Sequence, residues 1–337
     1  DENNKSKKII FYKNNLISHD HKGTIFIYSL RLNKKIFEYN FYKKSFKNFN
    51  KKIDLIVDGN ILYAADNLGY LYALNLNDSS ILWAKNYGIP FRSNLKLANN
   101  EIFLANQDNV IYSINSKTGD KNWQFQTRLT FLKSDFENNI ALDLINNNLF
   151  FLNTSGELYS INLLSQNINW VLNFKNPSLS RDTELFLSQP IVVKNNNLLI
   201  TTDKAVLSYG ILTAERNWNF SAESIFKPII TLNYTYIILK NNLLICLDNK
   251  NGSVVWSKNI FLNTKDKKKF QSIVDFKIIN SEISIFFKNG HLLSFNPSNG
   301  KLNYLNRISK NGISSAVVFL DDNMFFIDKD NKLLKFN

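Results

Sequence analysis

The chain has 337 residues, of which 44% are hydrophobic and 14% aromatic, and it carries a formal net charge of +13. This composition supports a large buried core, and no stretch approaches the roughly 18 consecutive apolar residues of a membrane-spanning helix. The charge comes mostly from lysines spread through a sequence rich in asparagine, isoleucine and phenylalanine, the profile of AT-rich coding and not the clustered arginines and exposed aromatics of a nucleic-acid surface.

All five tryptophans, Trp83, Trp123, Trp170, Trp218 and Trp256, recur 38 to 48 residues apart, and the same ruler reaches Phe37 and Tyr304. Self-similarity at such a period marks a solenoid, propeller or array. Fourteen residues before the anchor stand Gly23, Gly69, Gly156 and Gly290, replaced by Asn109, Lys204 and Asn242 in the other repeats. Eleven residues before it stands an apolar side chain: Phe26, Tyr72, Tyr112, Tyr159, Leu207, Ile245 or Leu293. The repeats run from end to end, so one domain over 1–337 is expected.

In chain order, the first blade is expected over 7–42, with Lys7–Tyr12 as its first strand. The second, 52–88, reads most cleanly. Its runs Lys52–Val57, Ile61–Ala65, Tyr70–Leu76 and Ile81–Lys85 are separated by Asp58-Gly59-Asn60, Asp66–Gly69 and Asn77–Ser80. Four strand-length runs bounded by Asn, Asp, Gly and Ser are the pattern of one propeller blade. The third to seventh blades are expected over 94–127, 139–174, 189–221, 227–261 and 271–308, and none keeps a 3.6-residue period. The eighth, 313–337, has the runs Ser314–Leu320, Asn323–Ile327 and Lys332–Phe336. The fold class expected is all-β, an eight-bladed propeller of four-stranded repeats with its last blade incomplete. The eighth anchor would fall about eight residues past Asn337. An upstream strand is therefore expected to close that blade, because an open sheet edge invites aggregation.

The last hairpin of a blade carries the sharpest motif. Asn115 to Trp123 matches Asp248 to Trp256 and Asn296 to Tyr304, with Gly119, Gly252 and Gly300 at one position. The Asx side chain bonds the backbone of the turn it opens, and Gly supplies the positive φ that leaves it. The aromatic then lands at a fixed place on the outermost strand, where a flat ring can wedge between blades. That makes Phe37, Trp83, Trp123, Trp170, Trp218, Trp256 and Tyr304 structural anchors.

Chemistry-bearing constellations are thin. The one cysteine, Cys246, lies in the apolar run Leu243–Leu247, a common place for a core thiol. His19 and His21 face one side of a strand, with His291 in a distant repeat, so no metal site is expected. No nucleophile-elbow pattern supports a Ser/His/Asp relay.

The phrase from Tyr112-Ser-Ile-Asn115 to Trp123, repeated from Ile245-Cys-Leu-Asp248 to Trp256, resembles the PQQ-like propeller repeat. Quinone-dependent dehydrogenases of that type hold their cofactor with adjacent cysteines, calcium and an aspartate. A lone cysteine excludes the pair, and no Asp-x-Asp-x-Asp-Gly loop is present, so no cofactor and no enzyme activity are expected. Eight such repeats without enzyme residues are similar to the BamB family of outer-membrane assembly lipoproteins. The resemblance implies a monomeric, non-enzymatic scaffold at the periplasmic face of a Gram-negative outer membrane, tethered by a lipid-bearing cysteine upstream. It further implies docking on the periplasmic domains of a BamA-like barrel subunit. The contacts would lie on the long linkers Arg128–Asn139 and Asn176–Gln189. The family's Leu-x-Leu-Arg pattern continues here as Leu132-Lys133-Ser134-Asp135, leaving the arginine unmatched, and the acidic pair stands at Asp182 and Glu184 beside Arg181. Leu129, Phe131, Leu132, Leu185, Phe186 and Leu187 make both linkers apolar; exposed apolar loops mark interaction sites, and the alternative for some of these residues is to tuck over the blade edge. The alternatives are a quinone-binding propeller enzyme and a basic module for nucleic acid or anionic lipid.

Overall fold

The computed structural model describes residues 9–20, 22–42, 46, 48–128, 139–175, 186–261, 272–320, 323–330 and 332–336. Among them are 31 strands and no α-helix. Each strand pairs with its chain neighbours, giving seven four-stranded sheets and one three-stranded sheet. These sheets are the blades of an eight-bladed β-propeller. The blades span 10–40, 53–86, 96–126, 140–173, 192–220, 229–259, 273–307 and 318–336. In the second blade the strands are Ile53–Asp58, Ile61–Asp66, Tyr70–Asn75 and Ile81–Asn86, within a residue of the runs read from sequence. With strands lettered A to D in chain order, an up-and-down sheet puts its A–B and C–D turns on one edge. The B–C turn and the linker to the next blade lie on the opposite edge.

The C–D turns show why the motif works. Asn115, Asp248 and Asn296 each accept from the backbone N–H two residues on, at 2.9, 2.7 and 2.8 Å. Gly119, Gly252 and Gly300 then take φ of 71°, 71° and 68°. The same left-handed position is filled by Asn33, Ser79, Gln166 and Ala214 in the other four of the seven four-stranded blades. On the opposite edge, the position of Gly23, Gly69, Gly156 and Gly290 is left-handed also at Asn109 and Asn242. At Lys204 the turn is built differently: Thr202 Oγ1 accepts from the Lys204 and Ala205 N–H groups at 3.1 and 2.9 Å.

In blades 1 to 5 and 7 the C–D pair bulges beside the anchor. Ser113 faces Trp123, Ser160 faces Trp170 and Ser208 faces Trp218, and the register slips at the next residue. A bulge leaves one residue outside the ladder; here it is Asn122, Asn169 or Asn217. Its amide donates across the sheet to Glu101 (3.1 Å), Asn148 (2.8 Å) and Asn197 (3.0 Å), respectively. In the seventh blade Asn303 donates to Glu282 at 2.9 Å. These cross-strand clasps satisfy polar groups that the bulge would otherwise strand.

Blades 2 to 5 belong to one compact unit and blades 1, 7 and 8 to another. In the first unit each apolar cluster spans two neighbouring blades: Tyr63, Leu71, Ile102 and Leu104; Phe103, Ile111, Phe151 and Ile161; Phe150, Leu158, Leu198 and Ile200. Inner strands are also clasped, since Asp54 accepts from the Leu95 N–H at 2.6 Å and Asn94 from the Ile140 N–H at 3.1 Å. In the other unit Phe286, Ile313 and Phe326 join blades 7 and 8, while Ile9, Leu16 and Phe325 join blades 8 and 1. Asp275 accepts there from the Val317 N–H at 2.8 Å.

The anchors divide into groups. Trp83, Trp170, Trp218 and Trp256 donate their indole N–H to the next blade's C–D turn, at Ser116, Ile211, Asn249 and Pro297 (2.9 to 3.1 Å). Trp123 packs on Phe103 (ring centroids 6.0 Å apart) against the cluster shared by blades 3 and 4, and its buried Nε1 has no acceptor among the described residues. Phe37 stacks on Tyr39 at 6.2 Å, and Tyr304 is exposed. Cys246 is a buried free thiol, and Lys51 is buried with its ammonium on the Phe46 carbonyl and over the Tyr42 ring.

Candidate partner-binding site

The residues singled out for partner contact, Leu132, Lys133, Asp135, Arg181, Asp182 and Glu184, lie outside the described residues, as do Leu129, Phe131 and Leu185. His21 does as well, and His19 closes a strand with Nδ1 3.2 Å from the Asp20 carbonyl. What is described is how the two long linkers are rooted. Both flank blade 4, and both are fastened to the turn between its B and C strands, Asn153 to Glu157.

That turn is an Asx turn. Asn153 Oδ1 accepts from the Ser155 and Glu157 N–H groups at 3.0 and 2.9 Å, and Gly156 supplies φ of +81°. The first linker leaves blade 3 through Thr127 and Arg128. Thr127 Oγ1 donates to the Asn109 carbonyl at 3.0 Å and receives the Asn153 amide at 3.4 Å. Asn109 in turn donates to Thr154 Oγ1 at 2.7 Å, tying the B–C turns of blades 3 and 4 together. The Arg128 N–H donates to the Tyr159 oxygen at 3.5 Å, and its guanidinium lies 3.8 Å from Glu157. Glu157 is buried, and it accepts from the Tyr159 hydroxyl at 2.8 Å and the Asn153 amide at 2.9 Å. A buried carboxylate held by two donors and a facing guanidinium is a satisfied charge, fixed in place.

The second linker re-enters at Phe186. Its N–H donates to the Thr154 carbonyl at 3.0 Å, and its ring stacks on Phe174 at 6.0 Å. The same ring covers Gly156, where an added Cβ would sit 2.9 Å from Phe186 Cδ2. Phe186 is therefore core, tucked over the blade edge rather than presented for contact. The N–H that positions it and the glycine it covers leave it one place to go. Leu187, the next residue, is 65% exposed. Sequence reasoning had no signal for Glu157, Tyr159 or Asn153 as linker supports. Tyr159 was legible only as an apolar repeat position, and its hydroxyl does the bonding.

Burial, and then the hydrogen bond to Glu157, push the Tyr159 phenol up from 10.0 to about 12. The fold therefore prefers the neutral phenol. Its contribution is complete below pH 10 and is lost as pH rises toward 12, because the unfolded chain releases that proton first. Tyr63, Tyr87, Tyr112 and Tyr209 are raised by burial as well. Urea midpoints should accordingly hold steady to pH 10 and then decline, and Tyr159→Phe should make that decline shallower. An equally steep decline in the variant would show that the phenol is not held by the turn.

Among the described residues no group of three or more His, Cys, Asp and Glu side chains is placed to hold a metal ion. No helix is long and apolar enough to cross a membrane.

The family profile described as outer membrane protein assembly factor BamB matches residues 42–258. A curated relative, outer membrane protein assembly factor BamB of Legionella pneumophila (strain Paris), is 34% identical over 76 residues, covering 23% of this chain. The chain spans in that match about a fifth (19%) of the relative's length. The crystal structure of BamB from Moraxella catarrhalis superposes with a TM-score of 0.76 at 12% identity, covering 97% of this chain and 95% of that one. Saccharomyces cerevisiae Sqt1 superposes with a TM-score of 0.71 at 11% identity over 96% of this chain and 92% of its own. At such identities the likeness is one of fold.

Proposed function

This chain belongs to the family of outer membrane protein assembly factor BamB, and from that premise we propose that it is a non-enzymatic scaffold in outer-membrane protein assembly. It acts at the periplasmic face of the membrane and docks, through the two linkers flanking blade 4, on the periplasmic domains of a BamA-like barrel subunit. The observation that carries the reading is the shared root: Arg128 and Phe186, at opposite linkers, are both fastened to the five-residue turn Asn153 to Glu157. Both linkers are thereby rooted on one turn, and a fixed root lowers the ordering cost of binding.

The test is binding to the purified periplasmic domains of the barrel subunit. Leu132→Asp and Arg181→Glu should each weaken it, Leu132→Asp by on the order of 2 kcal/mol if it is a hot spot, with melting temperature unchanged. Full affinity in both variants would remove the linkers from the interface. Unfolding of both would make these residues core and the assignment wrong.

A further inference from the structure

Four Asn–Gly pairs occur in the chain, at 251–252, 289–290, 299–300 and 311–312. Glycine has no Cβ, so the backbone nitrogen that follows each asparagine is unshielded. Such a nitrogen can close on the asparagine Cγ, and the fold decides at which pair it is free to do so. Three of the four glycine N–H groups are engaged in turns. Gly252 donates to the Asp248 carbonyl at 2.8 Å, Gly290 to the Phe287 carbonyl at 2.9 Å and Gly300 to the Asn296 carbonyl at 2.8 Å. Two of the asparagines are tied as well: Asn251 Oδ1 accepts from the Ser253 N–H and Asn299 Oδ1 from the Lys301 N–H, each at 2.9 Å. The fourth pair, in the linker from blade 7 to blade 8, differs. The Gly312 N–H meets no acceptor among the described residues, and Asn311 beside it is exposed.

We propose that Asn311 is a spontaneous modification site, where deamidation unfastens the linker that leads into blade 8. The Gly312 nitrogen attacks Asn311 Cγ, the Cγ–Nδ2 bond breaks, and ammonia leaves with the proton that the glycine nitrogen gives up. Water then opens the resulting succinimide at one of its two carbonyls. The product is aspartate or, with the main chain rerouted through Cγ, isoaspartate. At the other three pairs the glycine must first give up its carbonyl partner. The Lys329 side chain lies against Gly312, its Cε 2.9 Å from the position of an added Cβ. A cation carried there favours the deprotonated nitrogen that attacks.

Both products are unwelcome at this position. Asn311 donates its amide to Asp330 at 2.8 Å and to Asp328 at 3.4 Å. Asp328 is buried and accepts from the Asp330 and Lys332 N–H groups at 2.9 and 2.8 Å, shaping the B–C turn of blade 8. Aspartate at 311 exchanges the donor for a third carboxylate facing two others, and like charges at that range repel. Isoaspartate instead adds a backbone atom between two fastened points. These are the Ser309 N–H on the Gly290 carbonyl at 3.2 Å and the Ile313 N–H on the Lys288 carbonyl at 3.1 Å. Blade 8 has three strands where the other blades have four, so it has the least ladder to absorb the change. This chemistry stands independently of the docking proposed above.

The test is to age the full chain at mildly alkaline pH, folded and in parallel unfolded in urea, and to follow all four pairs by peptide mass. In urea the four asparagines should convert at comparable rates, because each is followed by glycine. In the folded protein Asn311 should outpace Asn251, Asn289 and Asn299 by on the order of tenfold, the effect of the carbonyl bond the others must break. An Asn311 no faster than the other three in the folded chain overturns the proposal. So does an equal lead for Asn311 in urea, which would trace to sequence alone. Asn311→Asp, made directly, should lower the urea midpoint. Asn299→Asp, with no carboxylate bonded to Asn299 among the described residues, should leave it in place. If Asn311→Asp does not fold, Asn311→Ser, which loses the amide without adding charge, should show a smaller drop in midpoint. A wild-type midpoint in Asn311→Asp, or in Asn311→Ser where that variant stands in, overturns the unfastening.

Discussion

Trp218→Ala is expected to lower unfolding stability by roughly 3–5 kcal/mol, as large-to-small core changes do when the site fails to collapse. Trp218 is 5% exposed and lies between the D strand of blade 5 and the C–D turn of blade 6. Gly252 brings that turn onto the ring so closely that an added Cβ would sit 2.8 Å from Trp218 Cδ2. The indole N–H also satisfies the Asn249 carbonyl at 2.9 Å. Alanine would leave a cavity walled by backbone held in its own hydrogen bonds, which resists closing. Trp218→Phe keeps most of the volume and loses the bond, so it should cost only about 1–2 kcal/mol. Trp170→Ala, at a half-buried anchor, should fall below Trp218→Ala. Urea titration at constant slope checks the series; a loss under about 1.5 kcal/mol for Trp218→Ala would mean the anchor is decorative.

The propeller was legible because its turns impose chemistry at fixed spacing. Asn115, Asp248 and Asn296 opened turns that Gly119, Gly252 and Gly300 closed, and the strands followed from the apolar runs between them. The glycine signal covered three C–D turns, yet Asn33, Ser79, Gln166 and Ala214 adopt the same positive φ. The hairpin geometry is set by strand twist and by the bulge at the anchor, so the fold imposes the conformation even on residues that disfavour it. The serine opposite the tryptophan and the asparagine before it also recurred in the sequence. Their meaning as a bulge clasp needed the cross-strand partner, Glu101 or Asn148, which no local window contains. Phe186 illustrates the converse. An aromatic in a long linker reads as exposed until the glycine beneath it, Gly156, is seen to leave room for its ring.

Gly290→Ala should cost roughly 2–4 kcal/mol, combining a left-handed backbone with a collision that side-chain motion does not relieve. Gly290 has φ of +87°, and an added Cβ would sit 2.1 Å from the Ser309 carbonyl oxygen. That oxygen is backbone, and Gly290 itself accepts from the Ile308 and Ser309 N–H groups at 2.8 and 3.2 Å. The linker from blade 7 to blade 8 is thus pressed against the turn, and moving it breaks the bonds that hold it. Asn109 and Asn242 occupy the same repeat position with φ of 61° and 64°, so asparagine tolerates the backbone. Gly290→Asn therefore separates the two causes. If contact dominates, it should be as damaging as alanine; if φ dominates, asparagine should recover most of the loss. Gly59, at φ of +54° with nothing within 4 Å of a built Cβ, is the control, and Gly59→Asn should stay within about 0.5 kcal/mol of wild type. Asparagine rescuing Gly290 would refute the close approach of the linker and leave conformational preference as the sole reason for glycine there.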